Sequence, residues 1–328
     1  MKILRILGYS IAGLVVTGMI GAGFALWSYR DIPSTVLEKK YTSRTSRFIN
    51  IDGARIHFRD EGNGPAILLL HASFASLIDW DPWVEALKDS YRVVRLDFPG
   101  HGLTGPDPTG DYSRRRTLAL TEKFINAIDL DRFSIAGASL GGTIAIHYTH
   151  RHPERIENLI LLNPGVLAYP EKIWNGHGTI PDMAFLLKYI LPRALPKYML
   201  ESGFGDRTRV TDALVDRWYD LWMREGQREA QLDRLQQFRA DAIESTIRDL
   251  KPRTLLLQSE ANMADTLARD VHIQGLFKNV ASLEIVAYPG IGEMLVLEAG
   301  PETGRDVRAF LDQSRQADTA VPAADTRD

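Results

Sequence analysis

An α/β architecture, a mostly parallel central sheet flanked by helices, is predicted by three observations. Short apolar runs of the kind buried on both faces recur at Ala66–Leu70, Arg92–Leu96, Phe133–Ala136, Asn158–Leu162, Thr254–Leu257 and Leu283–Ala287. Stretches with apolar residues at helical spacing separate or follow them, and such alternation gives parallel strands joined by right-handed crossovers. The third observation is the junction Gly137-Ala138-Ser139-Leu140-Gly141 inside FSIAGASLGGTIAIHYTH, a G-x-S-x-G turn from strand into helix. A strand that reverses directly into a helix strains its central residue and leaves no room for side chains two positions away, which is the job of the glycines. It sets the Ser139 hydroxyl at a helix N-terminus, where free N–H groups favour developing negative charge.

The chain has 328 residues, 45% hydrophobic and 25% charged, which suits one large domain with appendages. A net charge of −3 and the lack of a basic stripe argue against nucleic acid as a partner. With no cysteine there is no disulfide framework, thiolate nucleophile or Cys-type zinc site.

Residues 6–29 carry no charge and are flanked by Lys2 and Arg5 before and Arg30 and Asp31 after. At ~1.5 Å per residue the run reaches roughly 36 Å, so residues 1–30 are expected to be a transmembrane signal anchor. The basic N-terminus predicts a single-pass membrane protein with its large domain outside the cytoplasm; Trp27 and Tyr29 would lie at the far interface. A cleavable signal peptide, with Gly23 and Ala25 at cleavage-like positions, is the competing reading. Residues 31–46 read as a polar linker. Arg47–Ile51 and Arg55–Arg59 flank Asp52-Gly53, a hairpin signal, and Trp80–Lys88 reads as a helix.

The core is expected over 47–165 and 250–313, interrupted by a helical cap over 166–249 with helices at Met183–Leu191, Thr211–Glu225 and Arg228–Arg239. An insertion at that point would lie over the strand ends near Ser139 and shape a pocket. Trp174, Phe185, Tyr189, Trp218, Tyr219 and Trp222 are its aromatic candidates for lining, although cap packing alone explains such residues. Residues 314–328 are small and polar and are expected to be disordered.

Over about residues 47–312 the sequence resembles the α/β-hydrolase fold family. The matching pieces are Ile67-Leu-Leu-Leu-His71, Asp97-Phe-Pro-Gly-His-Gly102, the GASLGG elbow, His152-Pro-Glu-Arg155 and Tyr288-Pro-Gly. In detail it is similar to membrane-anchored bacterial members of the esterase, lipase and C–C-bond hydrolase group. The resemblance implies Ser139 as nucleophile and an oxyanion hole from the N–H of Leu140 and one near Ser73, with His71, Phe74 and Ala138 at the substrate pocket. His71-Ala72-Ser73 departs from the family's His-Gly loop.

Two further departures concern the triad. The family's aspartate after the Thr254–Leu257 strand falls on Asn262, and the histidine of its Y-P-G-x-G-H-M turn falls on Glu293 in Tyr288-Pro-Gly-Ile-Gly-Glu-Met294. A serine hydroxyl needs a base with a pKa near the working pH, and an ordinary glutamate near 4.3 is too weak. In serine proteases the Asp→Asn exchange alone lowers kcat by about 10⁴. Ordinary triad hydrolysis is therefore expected to be absent or vestigial, leaving a capped pocket for a small apolar or ester-like molecule. The alternative is an active hydrolase of an ester or C–C bond that works with Ser139 and Glu293. His177 and His272, and the carboxylates Glu260 and Asp265, are the available substitutes, while Asn163, at the alternative acid position, is again an amide. No metal-ligand spacing or phosphate loop is present, so cofactor-free chemistry is expected.

Overall fold

The computed structural model describes residues 16–19, 21, 23, 24, 27–164, 182–237, 243–260 and 275–320. Its strands are β1 Ser46–Ile51, β2 Ala54–Glu61, β3 Ala66–Leu70, β4 Arg92–Leu96, β5 Phe133–Ala138, β6 Ile156–Leu162, β7 Arg253–Glu260 and β8 Leu283–Pro289. They form one sheet in the order β1-β2-β4-β3-β5-β6-β7-β8. β2 runs antiparallel to β1 and β4; all other pairs are parallel. The hairpin closes through Asp52 and Gly53, both left-handed at φ 48 and 83, as a two-residue primed turn requires.

The apolar runs are continuous because both faces of the sheet are covered. Leu68 and Leu70 pack with Phe124, Ile144 and Tyr148 on one face, from helices Arg114–Ala127 and Leu140–Arg151. Ile67 and Leu69 pack with Trp83, Val307 and Phe310 on the other, from helices Asp81–Leu87 and Gly300–Ala320. β3 has β4 on one side and β5 on the other, so successive crossovers leave in opposite directions and open a crevice beyond the carboxyl ends of β3 and β5. His71 follows β3 and Ser139 follows β5.

The insertion between β6 and β7 carries a 3₁₀ helix Asp182–Lys188 and helices Ala194–Gly203, Asp212–Trp222 and Gln227–Gln237. Leu200, Val215, Trp218 and Trp222 form its apolar cluster. Ala194–Gly203 was not expected; Pro196 in its first turn, where proline is tolerated, reads in sequence as a break. Phe185 and Tyr189 are 55% and 53% exposed, so they do not serve as pocket lining. Trp174 and His177 lie outside the described residues.

Three expectations at the chain ends require correction. The membrane anchor over residues 6–29, and with it the single-pass membrane location, is contradicted: among the described residues no helix is long and apolar enough to cross a membrane. Residues 1–15 lie outside the described residues. The end of the run is engaged with protein, since Tyr29 and Ile32 pack against the apolar cluster of the insertion. Ile32 N–H donates to the Met223 carbonyl at 2.7 Å, Glu225 N–H donates to the Ile32 carbonyl at 3.0 Å, and Arg228 pairs with Asp31 at 2.6 Å.

The expected linker 31–46 contains helix Ser34–Tyr41, with Leu37 buried beside Leu77, Leu103 and Leu221. Lys40 and Tyr41 both bond the Asp220 carboxylate, and Arg55 bonds Glu38, which fixes the segment to insertion and sheet together. The expected disordered tail is helical as far as Ala320 because Gly300–Ala320 continues past residue 313. Arg315 lies over the Tyr91 ring, 5.7 Å from its centroid; residues 321–328 lie outside the described residues.

Candidate active site

β5 delivers Ser139 directly into helix Leu140–Arg151 with φ 46 and ψ −110. This strained conformation is held at both ends: Ser139 N–H donates to the Leu162 carbonyl at 3.0 Å, and its own carbonyl accepts from Thr143 N–H at 3.1 Å. The Ser139 side chain does not cap the helix. A Cβ on Gly137 would collide with the Gly141 backbone, and one on Gly141 with the carbonyls of Leu70 and His71. Only glycine lets the turn close against the end of β3.

A cavity of about 210 Å³ opens beside Ser139. Of the residues singled out from sequence, His71, Ser73, Phe74, Ala138, Ser139 and Glu293 line it. Leu140, the first residue of the elbow helix, is not part of the lining, and Asn262 lies outside the described residues along with Asp265 and His272.

His71 is the cavity's histidine, and its ring is already committed. Nε2 accepts from Phe98 N–H at 3.0 Å, so the proton resides on Nδ1, which donates to the Ala72 carbonyl at 2.7 Å. Complete burial lowers its pKa and keeps it neutral. It therefore organises the loop and cannot take the Ser139 proton while those bonds persist. The same loop is tied to the insertion: buried Arg234 donates to Ser73 Oγ at 3.1 Å and stacks its guanidinium 4.7 Å from the Phe74 ring centroid. Burial lowers the Arg234 pKa to about 10, which leaves it charged at neutral pH. Phe74 itself is left-handed at φ 65, and its carbonyl accepts from Trp222 Nε1 at 2.8 Å.

The turn that carries Glu293 is fixed by two neighbours. Buried Glu298 accepts from three backbone N–H groups, those of Gly205 at 2.8 Å, Asp206 at 2.8 Å and Gly292 at 2.7 Å. Asn163 donates from Nδ2 to the Glu293 carbonyl at 3.1 Å and to Ser259 Oγ at 3.1 Å, while its Oδ1 accepts from Ser259 N–H at 3.2 Å. An amide fits this position because the site asks for donor and acceptor at once; an ionised carboxylate offers only acceptors. The Glu293 side chain is exposed at the cavity edge.

Sequence reasoning missed Asp79, Trp80 and Met294–Leu297, which also line the cavity. A carboxylate set directly between the large apolar residues Ile78 and Trp80 was the available signal. Asp79 is 4% exposed. It accepts from Arg217 Nη2 at 2.8 Å and from Ser76 N–H at 3.3 Å. Burial raises its pKa in spite of the Arg217 charge. Trp218, one of the six aromatic candidates, lines the cavity as well. Among the described residues no cluster of three His, Asp or Glu side chains could hold a metal ion.

A glycine-framed serine elbow beside a cavity at the switch point of a mostly parallel sheet defines an α/β-hydrolase-type site. The family model for the alpha/beta hydrolase fold matches residues 65–198, less than half of the chain, and the chain has the α/β-hydrolase fold. An uncharacterized protein of Mycobacterium tuberculosis (strain ATCC 25618 / H37Rv) is 32% identical over 173 residues, 52% of this chain and 50% of that protein. The chain thus spans about half the length of that relative. The 2-hydroxymuconate semialdehyde hydrolase of Pseudomonas sp. (strain CF600) is 25% identical over 248 residues, covering 68% of this chain and 83% of the enzyme. Among solved structures, the enol-lactonase from Burkholderia xenovorans LB400 superposes with a TM-score of 0.69 at 21% identity, over 81% of this chain and all of that one (100%).

Proposed function

We propose that the Ser139 cavity binds a small apolar, ester-like molecule and that triad hydrolysis has been lost from it. The observation that carries this reading is the pairing of Ser139 with Glu293 at one cavity, where the family's base would stand. Glu293 is exposed there, and it brings a carboxylate where activation of a serine calls for an imidazole. His71 cannot replace the base because both of its ring nitrogens are engaged. The ligand class follows from an apolar lining with few polar groups. It also accords with the relatives, which are named for a semialdehyde and an enol-lactone.

The test is turnover of short- and medium-chain esters by the full chain beside its Ser139→Ala variant. Equal, near-background rates are expected. Activity that disappears with Ser139 would refute the reading and favour the second one, an ester or C–C hydrolase in which Glu293 takes the serine proton. The double substitution Glu293→His with Asn262→Asp is expected to raise ester turnover by restoring base and acid.

A further inference from the structure

A charge buried away from water is costly unless an opposite charge balances it. Arg95 and Arg59, both buried, obey this rule: Arg95 pairs with Glu61 and Asp81, and Arg59 lies 3.6 Å from Asp81. Arg234, on helix Gln227–Gln237 and 9% exposed, has no such partner among the described residues. Its surroundings are neutral. Gln231 Oε1 accepts from Nε at 3.1 Å and from Nη2 at 2.9 Å, Ser73 Oγ accepts from Nη1 at 3.1 Å, and the Phe74 ring centroid is 4.7 Å away. Burial alone lowers its pKa, to about 10, so the guanidinium stays charged at neutral pH. Three residues of the cavity lining place that charge at the wall. Ser73 and Phe74 touch the guanidinium directly, and His71 senses it through space, since the Arg234 charge adds to the lowering of the His71 pKa. Such a field needs no contact with a ligand, because in a water-poor interior a charge acts over several ångströms. The acids of the cavity do not cancel it: Asp79 is balanced by Arg217 at 2.8 Å, and Glu293 stands at the exposed edge, where water screens it.

We propose that this uncompensated guanidinium makes the Ser139 cavity selective for an anion, the carboxylate of a small apolar acid, over the neutral ester or amide of the same acid. The carboxylate supplies the counter-charge that the chain omits. Ser73 stands between the two: its hydroxyl accepts from Arg234 and bonds no other described residue, so its hydrogen is available to an acceptor. A neutral amide fills the same volume and leaves Arg234 unbalanced, and an ammonium group adds a like charge. The proposal rests on the reading of the cavity as a ligand pocket and narrows an ester-like ligand to one whose carboxyl group is free.

Three probes of matched shape test it by calorimetric titration of the full chain at neutral pH: phenylacetate, phenylacetamide and 2-phenylethylammonium. Phenylacetate is expected to bind about tenfold more tightly than the amide, and the ammonium most weakly. In Arg234→Met, which keeps an apolar stem and removes the charge, the preference for the acid should vanish while amide binding is unchanged; Arg234→Gln gives a second neutral case should the first not fold. Arg234→Lys, which keeps the charge, should keep most of the preference. Equal binding of acid and amide by the wild-type chain would overturn the anion site and leave the pocket reading intact, as would tightest binding of the ammonium or a preference that persists in the neutral variants. Binding of none of the three would remove the pocket reading itself, and this proposal with it.

Discussion

Glu298 offers the sharpest test of how the candidate site is held. Glu298→Gln keeps the side-chain shape and removes the charge. The carboxylate now receives three N–H bonds of 2.7–2.8 Å from Gly205, Asp206 and Gly292. Hydrogen bonds to a charged group contribute about 1.5–3 kcal/mol each. Glutamine's single oxygen can retain at most two of the three, now as neutral bonds, and its NH₂ group must face the remaining N–H. The net loss is about 3 kcal/mol, one charged bond plus the weakening of the others. For a chain of this size that is a fall in Tm of roughly 4 °C. The assay is thermal or urea denaturation of the full chain. A Tm within about 1 °C of wild type would refute the argument that Glu298 clamps the Glu293 turn to the end of helix Ala194–Gly203.

Three further outcomes are expected. Leu37→Ala should destabilise the protein by about 2–5 kcal/mol in urea melts, because Leu37 is 1% exposed among Leu77, Leu103 and Leu221; a silent substitution would mean that helix Ser34–Tyr41 does not contribute to the fold. Asn163→Asp should cost about 1–3 kcal/mol by removing the donor to Ser259 Oγ and the Glu293 carbonyl, which denaturant midpoints would register. Asp97 is buried, which by itself would raise its pKa, but His57 and the backbone N–H groups of Leu77 and Leu103 hold the carboxyl well below its ordinary 3.8. A depressed carboxyl pKa contributes stability that is present above the unfolded value and lost as pH falls through the folded one. Asp97→Asn should therefore cost about 3 kcal/mol at neutral pH, and the gap to wild type should narrow in denaturation curves taken below about pH 4.

The helix over residues 34–41 shows why the N-terminal part of the chain was misread. Its local composition, polar and mixed in charge, reads as a tether, and only partners distant in sequence make it part of the fold: Leu37 packs beside Leu77, Leu103 and Leu221, and just ahead of the helix Ile32 bonds the backbone of Met223 and Glu225.

Local periodicity and sterics are short-range, so the sequence by itself determined the sheet strands, the Asp52-Gly53 hairpin, the interruption after β6 and the glycine-framed Ser139 elbow. Each rests on residues a few positions apart. The placement of Glu293 in a turn beside Ser139 followed from the motif order of the family. What only the tertiary structure decided is what surrounds that serine. Asp79 and Arg217 are 138 residues apart; their ion pair and the three-bond clamp on Glu298 exist because the insertion folds back over the crevice at the sheet's switch point. Such contacts depend on burial and on distances through space, and one-dimensional patterns carry no record of either.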